Sequence, residues 1–324
     1  MKTNIVKKIR EGRRVQQGFT MVELLVALLL SAGLLFGVLQ IFDTNRQSST
    51  MQNALSEVQE GGRIAVEMIS RDIRMANSWG CNQNRYPQDT TGLIVEEIGL
   101  LPGATGVQTS WGRGGVTGTN NVGALIIGGR TVEPGTDEFS LRGSFIIPNA
   151  VIRQPYMTNV GSDIVIGIGA DIPSGTPLVI SSCLSSDLFV NTQADTATTG
   201  IIAHANPFMR VYDGSAKISR PFTHQYFVGQ NVGGGTSLYR RVDNNLVADE
   251  LVRNVSDMQV LYGLDSDIDG SADQFIASPS AAEFLQVISI RFQLTLDSQS
   301  NVNDSGVLQK TFVATANIRN KSLQ

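Results

Sequence analysis

The chain begins with a long run of apolar residues. From residue 18 to residue 42 nearly every position is apolar, and Glu23 is the one charged side chain before Asp43. As a helix, residues 24–42 would be about 28 Å long, close to the hydrocarbon thickness of a bilayer. This segment can therefore cross a membrane once.

Beyond this run the apolar positions narrow to a stripe. Apolar or small residues recur every three or four positions, at Met51, Leu55, Val58, Gly62, Ala65, Ile69, Ile73 and Ala76. Charged residues occupy the other faces, which is typical of a helix with one packed side. The pattern predicts one helix over about 20–77, half in the membrane and half packed on a sheet. Gly61 and Gly62 either bend it or allow close packing.

Short runs of β-branched residues follow, bounded by glycine, asparagine and proline, and they predict strands. Residues 86–123 are predicted as a long surface loop. Strands are expected at 123–129, 137–143, 162–169, 176–183, 208–212, 225–229, 237–242, 286–299 and 308–321, with a glycine-rich hairpin turn before 237. The alternate apolar residues from Ile288 to Leu296 should face the helix. The expected fold class is α+β, a long amino-terminal helix packed on a large antiparallel β-rich head.

The charge distribution orients the chain in the membrane. Residues 1–18 carry six basic side chains and one acidic one. By the positive-inside rule this end stays in the cytoplasm, and everything after residue 42 is exported. Without residues 1–18 the formal net charge falls from −4 to −9. No direct nucleic-acid binding is expected, because phosphate contacts need clustered basic residues.

Glu23 is unusual, since a carboxylate near the start of a membrane helix costs a few kcal/mol unless it lies at the interface or has a cationic partner. The chain can be a plain signal anchor whose glutamate reaches the headgroups. Alternatively, Glu23 is a functional residue.

The residues Gly18-Phe19-Thr20-Met21-Val22-Glu23, after a short basic leader and before an apolar helix, resemble the signal of type IV pilins and type II secretion pseudopilins. The resemblance implies that a membrane peptidase cuts after Gly18 and methylates the new amino terminus at Phe19. It also implies that Glu23 pairs with the terminal amine of a neighbouring subunit during assembly.

A second run, residues 58–81, is similar to the large minor pilins called PilW. The shared pattern of small and charged residues is filled by Glu60, Gly62, Arg63, Ala65, Arg71, Asp72, Arg74, Ala76, Gly80 and Cys81. Segments around 177–192, 237–242 and 250–273 resemble PilW in the same order. Arg71, Asp72 and Arg74 form either a patch for a neighbouring subunit or intramolecular contacts and a solvated face.

The PilW resemblance implies a minor pilin that acts in a priming and tip complex of a type IV pilus, and that supports twitching motility, adhesion and DNA uptake. Its implied partners are the prepilin peptidase, other minor pilins, the major pilin, the assembly platform and a tip adhesin. The protein would cross the inner membrane once with its head in the periplasm, then reach the pilus tip and cell surface. The alternatives are a J-type pseudopilin of a type II secretion system and a signal-anchored binding or hydrolytic domain.

The predicted domain organisation has four parts. Residues 1–18 are a cytoplasmic leader that is removed, and residues 19–42 are the transmembrane and filament-core helix. Residues 43–78 are the second half of the helix. Residues 79–324 are the exported β-rich head.

Cys81 and Cys183 are the two cysteines of the chain. In an oxidising compartment they are expected to form one disulfide, which closes a loop of about 100 residues and contributes about 4 kcal/mol in the chain-entropy model.

One acidic stretch suggests ion chemistry. Asp265, Asp267, Asp269 and Asp273 occupy the first, third, fifth and ninth places of a segment that resembles an EF-hand calcium loop. The twelfth place is Ile276, where that loop needs a bidentate acid. Calcium is the candidate ligand and no cofactor is required, while a hairpin turn capped by aspartates is the favoured alternative.

No enzyme is expected. His204 and His224 have no sequence context that suggests a catalytic triad.

Overall fold

The computed structural model describes residues 18–79, 115–182, 186–208, 210–243, 245–301 and 306–322. Helix α1 runs from Met21 to Met75. Its start is capped by Thr20, and just past its end Asn77 adopts a left-handed conformation with φ of 59°. This conformation is common after the last turn of a helix, where it ends the helical path.

The chain divides into two compact units, Met1–Asn53 and Ala54–Gln324. Within the described part of the first unit, α1 exposes its apolar side chains on all sides, as at Leu29 and Phe36. In the described ranges α1 is the one helix that is long and apolar enough to cross a membrane. A helix that is apolar all round needs a lipid or protein environment.

The second unit contains the end of α1 and an antiparallel β-rich head. Its strands are β1 (Val116–Thr119), β2 (Ile126–Ile127), β3 (Arg130–Thr131), β4 (Glu138–Val151), β5 (Ile164–Val165), β6 (Pro177–Ser181), β7 (Ser186–Val190), β8 (Ile201–Ile202), β9 (Lys217–Gln230), β10 (Thr236–Val242), β11 (Asp249–Arg253), β12 (Val255–Leu264), β13 (Gln274–Ile276), β14 (Val287–Asn301) and β15 (Val307–Asn317). Short helices α2 (Thr196–Thr199) and α3 (Arg319–Ser322) and a 3-10 turn (Glu283–Gln286) complete it.

The strands form two larger sheets. The first has the order β1-β4-β9-β10-β11, with β6 paired to β9 and β7 to β6, and the second has the order β13-β12-β14-β15. Asp137 joins them, because its backbone amide donates to the carbonyl of Met258 and its carboxylate accepts from the amide of Val260 at 2.7 Å. Both sheets therefore line one core.

The second half of α1 supplies one wall of that core. Its buried stripe, Val58, Ala65, Ile69 and Ile73, lies in one cluster with residues of both sheets. On β14 the alternate residues Ile290, Phe292, Leu294 and Leu296 are buried in the same cluster, as the alternation predicted.

The predicted fold class is confirmed, but some local predictions are wrong. Ala54 is buried, whereas Met51 and Leu55 remain exposed. The described residues of 208–212 form no strand, because Phe208 and Tyr212 instead fill a side cluster from an irregular segment. The predicted loop at 86–123 lies largely outside the described residues, yet its last part contains β1.

Gly62 decides between the two roles considered for the glycine pair. Helix α1 continues through it, and a Cβ there would lie 2.3 Å from the ring of Phe312 on β15. The glycine therefore serves close packing between the helix and the second sheet.

We expect Gly62→Ala to destabilise the head by about 1–3 kcal/mol, because the Phe312 ring must shift and this overpacking outweighs the better helix propensity of alanine. Chemical unfolding of the full-length protein in detergent measures the change. The matched control is Gly233→Ala, where a Cβ meets nothing within 4 Å. Equal stability of the two variants would contradict the packing argument.

Candidate functional site

The amino-terminal end of α1 forms a reciprocal cap between Thr20 and Glu23. The Glu23 carboxylate accepts hydrogen bonds from the backbone amide and the hydroxyl of Thr20, both at 3.0 Å. In return, the Thr20 hydroxyl accepts from the Glu23 amide at 3.3 Å. This is a capping box, which satisfies backbone amides that a helix start leaves without partners. The Thr-x-x-Glu spacing of the sequence therefore has a local structural role besides the predicted one.

The predicted cleavage point lies beside this cap. Gly18 and Phe19 precede the helix, and the Phe19 side chain is 87% exposed. Cutting after Gly18 would place a charged amine on Phe19, next to the capping box. The processing and assembly roles of Gly18, Phe19 and Glu23 stay predictions.

A polar cluster fixes the other end of α1 to the first sheet. Asp72 accepts a hydrogen bond from Nδ1 of His224 at 2.7 Å and another from the hydroxyl of Tyr226. Arg240 places a guanidinium nitrogen 3.6 Å from the same carboxylate oxygen. His224 and Tyr226 share one face of β9, and Arg240 lies opposite Tyr226 on β10.

The electrostatics of this cluster favour the ionised carboxylate. Burial alone would raise the pKa of Asp72, but the hydrogen bonds from His224 and Tyr226 and the nearby positive charge lower it below its ordinary value. The pKa of Tyr226 is raised by burial and by the Asp72 charge, so its hydroxyl stays protonated and donates. The ionised carboxylate of Asp72 is therefore stabilised on the side of α1 that faces β9.

The structure separates Asp72 from the two arginines, and a patch for a neighbouring subunit stays a prediction. Asp72 makes intramolecular contacts, while Arg71 and Arg74 are exposed. Sequence reasoning assigned no acid to His224, yet Asp72 lies 152 positions away in the chain and contacts it. The rings of Phe222 and Phe145 lie beside the imidazole, so the Asp72–His224 pair ties helix to sheet in an apolar setting.

The predicted calcium ligands come together only in part. One carboxylate oxygen from each of Asp265, Asp267 and Asp269 lies within 4.8 Å of the others. Asp273 instead accepts hydrogen bonds from the amide and hydroxyl of Ser266, both at 2.7 Å. Asp265 also accepts from three backbone amides of the loop, including that of Gly270 at 3.0 Å. The aspartates thus cap the turn, and calcium stays a prediction.

The predicted disulfide lies outside the described residues, since neither Cys81 nor Cys183 is among them. Their described neighbours do meet. The Ser186 hydroxyl donates to the carbonyl of Trp79 at 3.2 Å, and Trp79 is buried. The disulfide therefore stays a prediction.

A single long apolar helix with a capped start, continued into an antiparallel β-rich head, defines a pilin-like protein. The family model described as Type IV Pilus-assembly protein W matches residues 225–322, and the Prokaryotic N-terminal methylation motif matches residues 13–38. The recognition as a PilW-type pilin with a prepilin signal is thereby confirmed, as is a pilin-like role in pilus assembly. No curated protein and no solved structure matches the chain.

The family match extends from β9 to α3, so it includes the end of β9, all of β10 and β11, and all of the second sheet. The PilW-like segments at 58–81 and 177–192 lie outside it and remain resemblances.

We expect Asp72→Asn to destabilise the head by about 1.5–3 kcal/mol at pH 7, because a buried charged acceptor loses its charge while its donors remain. The folded-state pKa of Asp72 is lowered. Its stabilisation is therefore present above the unfolded pKa of about 3.9 and is lost as the pH falls through the folded value.

Unfolding of wild type and variant across pH 3–7 measures this difference. Tyr226→Phe is the control, since it removes one donor and leaves the carboxylate charged. The stability curves of wild type and Asp72→Asn should approach each other toward acidic pH. A pH-independent gap would contradict the charge-based explanation.

For the acidic loop, calcium binding predicts that Asp267→Asn and Asp269→Asn each weaken binding of calcium to the full-length protein. A titration by calorimetry, with magnesium as the competing ion, measures this. The missing twelfth ligand implies a weak site, in the range of about 10⁻⁴–10⁻³ M. If millimolar calcium gives no heat of binding, the calcium prediction is wrong and capping of the turn is the role that remains for these aspartates.

Proposed function

We propose that this protein is a minor pilin of a type IV pilus and acts in a priming and tip complex. The observation that carries the proposal is the PilW match over the strands that pack against α1, together with a prepilin motif at the start of the same helix. It is a structural and interaction protein rather than an enzyme. Twitching motility, adhesion and DNA uptake then depend on it through the filament.

The proposed mechanism starts in the inner membrane. The basic leader keeps the amino terminus in the cytoplasm until the prepilin peptidase cuts after Gly18 and methylates Phe19. The carboxylate of Glu23 then meets the new amine of a neighbouring subunit. Pairing two opposite charges removes much of the cost that either has in the bilayer, so the helix can move laterally from lipid into a filament core.

The apolar helix suits both environments. Its exposed leucine, valine and phenylalanine side chains lose no hydrogen bonds when lipid is exchanged for the helices of the major pilin and other minor pilins, drawn together by the assembly platform. The head remains in the periplasm and later on the cell surface. Its size, 324 − 75 = 249 residues after the helix, would obstruct packing on every side in a repeating subunit. This argues for few copies, at the tip, where a large adhesin can be carried.

The first test is the intact mass and amino-terminal sequence of the protein from membranes of cells with and without the prepilin peptidase. We expect a methylated Phe19 terminus only where the peptidase is present. Gly18→Val should give the unprocessed form in both strains, while Gly37→Ala, within the apolar helix, should leave processing intact. If the protein with the unchanged sequence starts at Met1 both with and without the peptidase, the proposal is overturned in favour of a signal-anchored domain.

Deleting the gene separates pilus from secretion system. Loss of surface pili with type II secretion intact is the expected result. Loss of secretion with normal pili would identify a J-type pseudopilin instead.

The same intact-mass measurement tests the proposed disulfide between Cys81 and Cys183. The contact of Trp79 with Ser186 supports it, because at about 3.3–3.6 Å per residue two or three residues extend far enough to bring the cysteines together. Alkylation without reduction should leave both thiols unmodified. Modification of both in the exported, folded protein would contradict the pairing.

A further inference from the structure

Two grooves of opposite charge flank the second half of α1. The basic groove, about 600 Å³ in volume, lies between α1 and the edge strand β15. Three arginines and one glutamate of α1 line it, above a floor that includes two apolar residues of β15. These are Arg63, Glu67, Arg71, Arg74, Phe312 and Val313. Its formal charge is therefore positive.

The acidic groove, about 240 Å³, lies between the other flank of α1 and strand β11. Its charged lining consists of three carboxylates and one guanidinium, from Glu57, Glu60, Asp297 and Arg253. Both grooves lie within the second compact unit, Ala54–Gln324.

The positions follow from helix geometry. At 3.6 residues per turn, Arg63 and Arg74 lie about 130–150° from the centre of the buried stripe on one side, and Glu57 lies about 110° from it on the other. Arg71 and Glu60 both lie within about 30° of the point opposite the stripe. A helix packed on a sheet by one face thus presents two flanks of opposite charge to its surroundings.

The basic groove is available to a partner. Among the described residues Arg63, Arg71 and Arg74 form no ion pair, although Glu67 is on the same helix face. Val313 is 61% exposed at its floor, and within the part of the chain that the structure describes β15 is an edge strand that pairs only with β14. Exposed apolar area bordered by unpaired charge is typical of protein interfaces.

We propose that the basic groove docks the acidic helix flank of a second pilin subunit, of the kind that this chain carries at Glu57 and Glu60. Arg71 and Arg74 are three residues apart, as are Glu57 and Glu60, so each pair spans about 4.5 Å along its helix axis. Two neighbouring helices can therefore match both charges at once. By the same geometry, the acidic groove faces the subunit on the other side.

This inference rests on the proposed function, because it requires a filament or tip complex in which pilin helices lie side by side. It adds the surface, the orientation of the charges and the chemistry of the partner. A charge-complementary flank also discriminates among pilins, since like charges brought together cost several kcal/mol.

The experiment places a photo-crosslinking amino acid at Val313 in the full-length chain, in cells that assemble pili. The matched control position is Val232, which is 93% exposed in the β9–β10 turn. We expect Val313 to crosslink to a pilin subunit, through a helical peptide that carries two acids three residues apart. Position 232 should not give this product.

Charge reversal tests the chemistry. Arg71→Glu with Arg74→Glu should lower the crosslinked yield about tenfold, the effect of losing roughly 1.4 kcal/mol of interface coupling. The conservative pair Arg71→Lys with Arg74→Lys should keep most of it. Lys217→Glu with Arg319→Glu, the same charge change at exposed residues elsewhere, should leave it unchanged.

Failure of this inference is distinct from failure of the proposed function. If the gene deletion abolishes pili while the reversed pair assembles and crosslinks as wild type, the groove proposal is wrong and the pilin function stands. A crosslink to a protein that is not a pilin also overturns it. If deletion leaves pili unchanged, the proposed function itself fails.

Discussion

The structure depends on one constraint, that a single helix must be soluble in lipid along its first half and form the wall of a water-soluble domain along its second. The first requirement needs apolar residues on all sides. The second needs one narrow apolar stripe, because polar faces must remain in water. The change occurs along the sequence of α1, and the division between the two compact units falls between Asn53 and Ala54. The strands of both larger sheets that share a cluster with that stripe pack against it.

The stripe alone would let the helix rotate by a few tens of degrees, since hydrophobic packing is not directional. Two contacts remove this freedom. The ring of Phe312 packs against Gly62, because a residue with a Cβ at position 62 would collide with the ring. Asp72 is held by His224, Tyr226 and Arg240. With Asp72 turned inward, Arg71 and Arg74 must face outward. The buried polar cluster thereby determines which charges the helix presents to a neighbour.

Much of this architecture could be predicted from the sequence, because periodicity reports burial directly. The length of α1, its packed face and the apolar face of β14 follow from spacings of three to four and of two. What could not be predicted are pairings between distant positions. Nothing in the residues around His224 indicates Asp72, although a histidine and a tyrosine two positions apart on one strand face could have suggested a shared partner. Likewise, the buried amine of Lys321 binds the carbonyls of Phe284 and Leu285, contacts that no local pattern reveals.

The capping box at the start of α1 gives Glu23 a partner before any assembly occurs. A carboxylate that already accepts from Thr20 is stabilised in place, close to the position where cleavage would create the amine of Phe19. An amine from a neighbouring subunit would add a charge-assisted hydrogen bond, which is roughly twice as strong as a neutral one. A carboxylate has two oxygens with about four acceptor sites, so it can keep its cap while it accepts this further donor. The local cap and the intersubunit role proposed for Glu23 are therefore compatible.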